Sequence, residues 1–363
     1  MSNACVLSVP DWASVRVYLP RDLDALAAST KAIERERGIK VAEHLLRMIL
    51  LWVLPNGSLA RTAKEGARLN LGNLSGPAFF KKVCKSEAFL ESTFERLLKH
   101  GGKRIALWKD LHVIAVDATV VCGPAATGTD QRLHVAYDLS LGRARKVELT
   151  NAKGGETFRR FLDLGKGNLI LADQGYGYGP GIVPLLNSGA SVLVRFNFHS
   201  IRLFDSSGQK ITPDHAESLI PQEGMSEFEV SLEGWHNPLR VFGARNPEGK
   251  AVWFLSDLAA DKLHGSEVRE LYMMRWQIEL FFKRLKSILE LDEMPTREGP
   301  SARAWLWAKL ILATLAALVA PEPFPPYEEP DESPATVSEQ PIRRKRGRPR
   351  KALGPQELQV KAA

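Results

Sequence analysis

The stretch LYMMRWQIELFFKRLKSIL, residues 271–289, has the spacing of one amphipathic helix with two separate faces. At about 100° per residue, one arc is apolar and holds Leu271, Met274, Ile278, Phe281, Leu285 and Leu289. The second arc holds Tyr272, Arg275, Glu279 and Lys286, with Lys283 close to the acid. The first arc predicts a face that packs on a core. The second arc favours an acid that holds a metal ion beside cations that follow a polyanion.

Two aspartates upstream lie in predicted buried strands. The run LWKDLHVIAVDATVV, residues 107–121, is nearly all apolar around Asp117, which is typical of a strand buried on both faces. In NLILADQGY, residues 168–176, Asp173 follows a short apolar strand and precedes Gly175. Each aspartate alone could simply cap a turn at a strand end. Together with Glu279, however, they form a candidate two-metal site for phosphoryl chemistry.

Residues 1–100 are predicted to be helical throughout. The apolar spacing predicts helices over Leu23–Arg37 and Val41–Leu54, and Ser58 and Ser75 are candidate N-caps for the helical runs that follow them. The last of these runs, residues 75–100, carries lysines at positions 81, 82 and 85. The region is therefore either a helix-turn-helix-like DNA-binding region or a plain helical bundle with a solvated basic face.

Residues 101–320 alternate predicted strands and helices, which indicates an α/β domain. Within it, residues 191–257 alternate apolar and polar positions between turns, which predicts a β-rich insertion. Residues 304–320 are strongly apolar but are interrupted by Lys309 and are short for a membrane span. They predict a buried helix. A chain of 363 residues is long enough for two or three domains.

The composition predicts a soluble cytoplasmic protein without a membrane partner. The net charge of +7 favours an acidic partner such as nucleic acid, although charge alone does not prove one. Cys5, Cys84 and Cys122 are odd in number and far apart, which indicates a reducing compartment and excludes a zinc motif. The first residues lack the basic and apolar regions of a secretory signal.

The composition changes after residue 320. Residues 321–341 are rich in proline and acids, so residues 321–363 are predicted to be a disordered tail. The tail contains RRKRGRPRK, residues 343–351, in which Arg346, Arg348 and Arg350 alternate with Gly347 and Pro349. This pattern resembles an AT-hook, whose arginines enter the narrow minor groove of A/T-rich DNA. A generic basic tail that binds phosphates is the alternative.

The motifs together resemble the DDE transposases of the insertion-sequence-4 family. Tyr272, Arg275, Glu279 and Lys286 fill the spacing Y-x2-R-x3-E-x6-K, and Trp276 follows the arginine as it does in many members. VDATVV followed by RLHVAYDL resembles the family's first-aspartate region, and LADQGY resembles the second, with glutamine at position 174 where arginine is common. A β-rich insertion before the glutamate is also a family trait. The resemblance covers about residues 45–315.

The resemblance implies a ribonuclease-H-like catalytic core and cut-and-paste DNA transposition. Asp117, Asp173 and Glu279 would hold two Mg²⁺ ions, for which Mn²⁺ is a substitute. Tyr272, Arg275, Lys283 and Lys286 would contact DNA, and Trp253 would be a base-stacking wedge if ends pass through hairpins. The implied partners are double-stranded DNA, as terminal inverted repeats and as target, and a second copy of the chain in a nucleoid-associated synaptic complex. The alternatives are an inactive or repurposed sequence-specific DNA-binding protein and a nuclease that cuts without joining.

Overall fold

The computed structural model describes the chain at residues 9–34, 38–55, 57–100, 102, 104–124, 129–287, 289–291, 294–296 and 299–319. The predicted tail, residues 321–363, lies outside these ranges, and with it the basic motif of Arg346, Arg348 and Arg350. The disordered tail and its AT-hook-like DNA binding therefore stay predictions.

Helices occupy the first part of the described chain, as the sequence predicts. They are α1 (Val9–Arg16), α2 (Leu23–Ser29), α3 (Ala42–Trp52), α4 (Leu59–Arg68), α5 (Gly76–Cys84) and α6 (Glu87–Leu98). The N-caps predicted at Ser58 and Ser75 are confirmed. Their hydroxyl oxygens accept hydrogen bonds from the backbone N–H groups of Arg61 (3.2 Å) and Ala78 (3.4 Å), which satisfies donors that have no partner within the helix.

Two predicted helices are shorter than their apolar spacing suggests. The helix predicted over Leu23–Arg37 ends early, because Lys31 adopts a left-handed backbone conformation with φ of 61°. The helical run after α4 divides at Ser86, whose hydroxyl donates a hydrogen bond to the carbonyl oxygen of Lys82 (2.7 Å). The spacing of apolar residues predicts neither the left-handed backbone at Lys31 nor the break at Ser86.

One mixed sheet contains the strands of the described chain. They are β1 (His112–Val121), β2 (Gln131–Asp138), β3 (Arg143–Asn151), β4 (Asn168–Ala172), β5 (Ser191–Phe196), β6 (Leu203–Phe204), β7 (Met225–Leu232), β8 (Trp235–Arg245) and β9 (Ala251–Ser256). Their order across the sheet is β3-β2-β1-β4-β5-β9-β8-β7-β6. β1, β4 and β5 are parallel, and the other neighbours are antiparallel. This arrangement is consistent with the α/β, ribonuclease-H-like core that the resemblance implies.

Residue 191 is too early a start for the β-rich insertion predicted at residues 191–257. Its first strand, β5, pairs in parallel with β4 and so belongs to the centre of the sheet. The later strands extend the same sheet, because β9 pairs antiparallel with β5 and satisfies the backbone groups of that edge. Alternation in the sequence predicts the strands correctly but does not give their partners.

The two faces of the sheet are covered by different layers. Successive residues of a strand point to opposite faces. Leu169 and Leu171 of β4 belong to one buried cluster, which includes residues of the N-terminal helices and of the last helix, α11 (Pro300–Val319). Ile170 and Ala172 belong to a second cluster on the other face, with residues of α7 (Gly179–Asn187) and of a 3₁₀ helix at Phe158–Leu164. In the chain, the short helix α8 (Pro213–Ser218) follows β6 and precedes β7.

The predicted boundary near residue 100 separates helices from strands but does not separate two cores. The N-terminal helices share a buried cluster with the sheet and with α11. Arg303 of α11 also forms an ion pair with Glu87 of α6. The helical region therefore supports the α/β layer directly.

Helix α11 is the buried helix that the sequence predicts at residues 304–320. By length and composition it could cross a membrane, yet 67% of its most apolar window is buried inside the protein. Lys309 is 1% exposed, and its ammonium group lies 4.7 Å from the centre of the Trp305 ring and donates a hydrogen bond to the carbonyl oxygen of Leu289. Packing by α6, α5 and α3 makes α11 a core helix.

The helix predicted over Leu271–Leu289 is two helices, α9 (Val268–Met273) and α10 (Trp276–Ser287). Between them, backbone N–H groups bond to carbonyl oxygens three residues back, as from Arg275 to Tyr272 (3.0 Å) and from Ile278 to Arg275 (3.1 Å). The tighter 3₁₀ bonding interrupts the α-helix at Met274 and Arg275. The apolar face still packs on the sheet, with Phe281 in ring contact with Tyr137 of β2 (5.0 Å between centroids).

Candidate active site

The register of the sheet places Asp117 and Asp173 side by side. β1 and β4 pair in parallel up to Val116 and Ala172, so one further residue on each strand brings the two aspartates together. On both strands the odd-numbered residues before them, such as Val113 and Leu169, belong to the cluster on the α10 side. The period of two therefore directs both carboxylates to the face that α10 covers. The two acids therefore lie on neighbouring strands and on one face of the sheet.

Helices α9 and α10 present the third acid and its neighbours to the same face. Tyr272 on α9 packs its ring edge-on against Phe254 (4.8 Å between centroids) and donates a hydrogen bond from its hydroxyl to Asp173 Oδ1 (3.4 Å). Arg275, in the turn between the helices, pairs with Glu279 on α10 (2.5 Å). Residues far apart in the chain thus meet at this face.

The Arg275 guanidinium is the positive centre of the site. Its Nη2 atom lies 2.5 Å from Glu279 Oε1, and its Nη1 atom lies 3.8 Å from Asp117 Oδ2. Its side chain is only 13% exposed and lies over the ring of Tyr272. Burial disfavours its charged form, but Tyr272, Glu279 and Asp173 together raise its pKa. One guanidinium therefore reaches two of the three predicted catalytic acids.

Asp117 is a mostly buried carboxylate in a negative environment. Burial raises its pKa to about 6, and the charges of Glu156 and Asp173 act in the same direction. A hydrogen bond from the Ala118 backbone N–H (2.7 Å) and the charge of Arg275 oppose that rise. Two negative charges and one guanidinium therefore act on Asp117.

Each of the three acids contacts another side chain of the site. Among the residues with described positions, no group of three or more Asp, Glu, His or Cys side chains is arranged to hold a metal ion. Like charges repel, and each acid has another partner: Arg275 for Asp117 and Glu279, and the Tyr272 hydroxyl for Asp173. The role of Asp117, Asp173 and Glu279 as metal ligands therefore stays a prediction.

An open cleft of about 620 Å³ runs beside these pairs. Asp117 lines one side and Glu279 the other, and Lys283 and Lys286 continue the α10 wall. Lys283 is exposed, and Lys286 is half-buried. Cations placed one turn and two turns beyond the acid leave a positive path that leads from the carboxylates along α10.

Trp253 does not offer the exposed ring that a base-stacking wedge needs. It is 8% exposed and packs edge-on against Phe198 (5.0 Å between centroids) and near Phe228. Its position on β9 turns it toward the second buried cluster. The alternating pattern predicts the strand but not which face it buries, so the wedge role is not supported by this arrangement.

The basic face predicted on the N-terminal helices is partly occupied by internal contacts. Lys82 is half-buried, its pKa is lowered by burial, and its ammonium group reaches the carbonyl oxygen of Ala32 (3.5 Å). Lys85 forms an ion pair with Glu34 (2.6 Å). Lys81 remains exposed on α5. The helix-turn-helix-like DNA contact therefore stays a prediction.

The sequence gives no role to Glu156, although its carboxylate lies at the site. A Cβ atom added to Gly175 would lie 1.9 Å from Glu156 Oε2, so this side chain covers the backbone just after Asp173. Burial raises its pKa, and the charge of Asp173 adds to the rise while Arg132 opposes it. No spacing rule identifies this acid, because it approaches through a loop.

The region that carries the candidate site matches a known protein family. Residues 108–315 match the family described as Transposase DDE domain. The chain is 27% identical to the transposase for insertion sequence element IS421 of Escherichia coli, with 84% of this chain and 92% of that protein covered. The same identity and coverage relate it to InsL for insertion sequence element IS186A of Escherichia coli (strain K12).

A solved structure shares the fold. The piggyBac transposase in a synaptic complex with hairpin DNA aligns with a TM-score of 0.51, covering 85% of this chain and 74% of that one. Its sequence identity is 10%. At 10% identity, the similarity shows a shared arrangement of helices and strands and nothing further.

Proposed function

Because the chain belongs to the Transposase DDE domain family, we propose that it is a DNA transposase that cleaves transposon ends and joins the freed 3′-OH to target DNA. The observation that carries the proposal is the placement of three acids: Asp117 and Asp173 lie side by side in the sheet register, and Asp117 and Glu279 line one cleft. That cleft continues along Lys283 and Lys286. The Y-x2-R-x3-E-x6-K spacing supports a place in the insertion-sequence-4 family, and the sheet order supports a ribonuclease-H-like core.

The family implies a divalent metal ion, and the side chains present fit one. Carboxylate oxygens are the ligands that Mg²⁺ prefers, and the negative charge around Asp117 exceeds that of the one guanidinium beside it. We propose that Asp117, Asp173 and Glu279 hold two Mg²⁺ ions, with Mn²⁺ as a substitute. When bound, such ions activate the attacking oxygen and stabilise the leaving oxygen of an in-line displacement.

The remaining residues of the site orient the acids and bind DNA. The Tyr272 hydroxyl fixes the rotamer of Asp173, and Phe254 fixes the ring of Tyr272. Arg275 balances Asp117 and Glu279 until DNA arrives, and then exchanges an acid for a phosphate of the transposon end. A guanidinium suits both partners because carboxylates and phosphates accept the same paired hydrogen bonds.

The cations outside the acid cluster set the path of the DNA. Lys283 and Lys286 bind backbone phosphates along α10, which positions the scissile bond without reading sequence. The exposed residues of α4 and α5 bind the terminal inverted repeat, and the basic tail binds A/T-rich DNA. The active species is a homodimer that acts in the cytoplasm on nucleoid DNA, with both transposon ends held at once.

A cleavage and joining assay tests this function. The full chain is incubated with Mg²⁺, a supercoiled target plasmid and labelled duplexes that carry candidate terminal repeats. The parent is expected to nick the duplexes and to join them to the plasmid, and Glu279→Gln is expected to do neither. Glu270→Gln, an exposed acid on α9, is the matched control and is expected to behave as the parent.

Three results separate the candidate functions. A parent that binds duplex DNA but never nicks it favours the repurposed DNA-binding protein. A parent that nicks without joining favours the nuclease. If Glu279→Gln cuts and joins as well as the parent, the assignment of the acids is wrong.

A further inference from the structure

The loop that carries Glu156 is held firmly against the loop that carries Asp173. The Tyr178 hydroxyl donates a hydrogen bond to Thr157 Oγ1 (2.5 Å). The ring of Phe158 packs on that of Tyr176 (5.2 Å between centroids). Both contacts are made by the two residues that follow Glu156, and they hold its segment against the segment that follows Asp173.

Gly175 allows the carboxylate to come close. Glu156 Oε2 occupies the space in which a side chain at position 175 would begin, 1.9 Å from the place of its Cβ atom. Gly175 does not have a left-handed φ, so the need for glycine here comes from this close approach. Since Asp173 is two residues earlier and lies beside Asp117 in the sheet register, Glu156 joins the same group of negative charges.

Glu156 has no partner that explains this placement as a structural contact. Within the described ranges of the chain it makes no hydrogen bond or ion pair, and Arg132 is the cation whose charge acts on it most directly. Glu148, on the adjacent strand β3, differs: it is paired with Arg160. The charge of this half-buried carboxylate next to Asp173 and Asp117 costs free energy in the metal-free protein, and the nearby charge of Arg132 offsets that cost only in part.

We infer that Glu156 is a fourth acid of the catalytic site, which contributes its negative charge to the binding of divalent cations. This inference rests on the proposed function, because it takes Asp117 and Asp173 as ligands of those cations. It predicts opposite effects of Glu156 on the metal-free and the metal-bound protein. The charge costs stability without metal and increases affinity for metal.

Binding of Mn²⁺ to the full chain without DNA tests the inference. Free Mn²⁺ is followed by its electron paramagnetic resonance signal during a titration of the parent and of Glu156→Gln. The variant keeps the size of the side chain and removes its charge, so we expect about tenfold weaker binding, the lower end of the range for residues that support metal ligands. Glu148→Gln, the nearby paired acid, is the matched control and is expected to bind Mn²⁺ as the parent does.

Thermal unfolding distinguishes this role from a structural one. In EDTA, Glu156→Gln is expected to unfold at the same temperature as the parent or at a higher one, because a repulsive charge has been removed. In Mn²⁺ its midpoint is expected to rise less than that of the parent. Gly175→Ala provides a second variant: its methyl group displaces the flexible end of Glu156, so it is also expected to weaken Mn²⁺ binding.

Unchanged Mn²⁺ affinity in Glu156→Gln would overturn the inference, and so would a lower unfolding temperature of that variant in EDTA. A parent that binds no Mn²⁺ would overturn it as well. The proposed function fails separately. If the parent binds Mn²⁺ through Glu156 but never cuts DNA, the inference stands without the transposase. If the parent cuts and joins DNA while Glu156→Gln keeps full affinity, only the inference falls.

Discussion

Replacement of Arg275 by methionine should destabilise the metal-free protein and make its stability depend on Mg²⁺. The Arg275 guanidinium lies 2.5 Å from Glu279 and 3.8 Å from Asp117, with 13% of its side chain exposed. Removal of one partner of a fully buried ion pair costs roughly 3–5 kcal/mol, because a buried charge is left unpaired. Glu279 is 42% exposed and water screens it, so we expect a loss of about 2 kcal/mol in EDTA. For a chain of 363 residues that loss corresponds to a melting temperature lower by about 3 °C.

The assay is thermal unfolding of the parent and of Arg275→Met, followed by circular dichroism in EDTA and in saturating Mg²⁺. The acids lack a counter-charge in the variant, so Mg²⁺ should raise its melting temperature more than that of the parent. Arg269→Met, an exposed arginine on α9, is the control and should change little. Equal stability of Arg275→Met and the parent in EDTA, or an equal rise of both melting temperatures in Mg²⁺, would show that Arg275 does not balance the acids.

Three further predictions concern other parts of the molecule. His134 is fully buried, and burial, together with the charges of two arginines, lowers its pKa to about 4. The unfolded state therefore takes up a proton before the folded state does as the pH falls below about 6.5. Up to about 3 kcal/mol of the free energy of unfolding is lost between pH 6.5 and 4. His134→Gln should remove that part of the pH dependence in urea titrations, and parallel curves for parent and variant would contradict it. Trp253→Phe should cut and join DNA like the parent because the ring is a core residue, and a selective loss of cleavage in a stably folded variant would restore the wedge. Lys283→Ala combined with Lys286→Ala should reduce the slope of log affinity against log salt by about 2 in anisotropy titrations with duplex DNA, and an unchanged slope would remove these lysines from the DNA path.

The sequence predicts those parts of the site that depend on local chemistry. An aspartate inside an apolar run, an aspartate where a strand meets a glycine turn and an acid among cations on a helix are each recognisable from neighbouring residues. Asp117, Asp173 and Glu279 therefore lie on the elements predicted for them. The caps at Ser58 and Ser75 were predictable for the same reason, since a hydroxyl before a helical run bonds to the first turn.

The features that the sequence does not predict depend on contacts between distant segments. Apolar alternation gives β5 and β9 as strands, but their pairing is set by which edge needs hydrogen bonds. The same alternation leaves open whether Trp253 faces solvent or a core. The interruption of the helix at Arg275 accompanies the contacts of its guanidinium with two acids, which a helical spacing does not include. Glu156 reaches the site through a loop, so only the fold reveals it.

The proposed metal site can be located by anomalous diffraction from the full chain crystallised with Mn²⁺ and a duplex that ends at the cleavage position. We expect manganese signal at Asp117, Asp173 and Glu279, with the Arg275 guanidinium on a phosphate of the DNA and no longer paired with Asp117. Manganese bound away from these three acids, or Glu279 turned away from both aspartates in the complex, would contradict it.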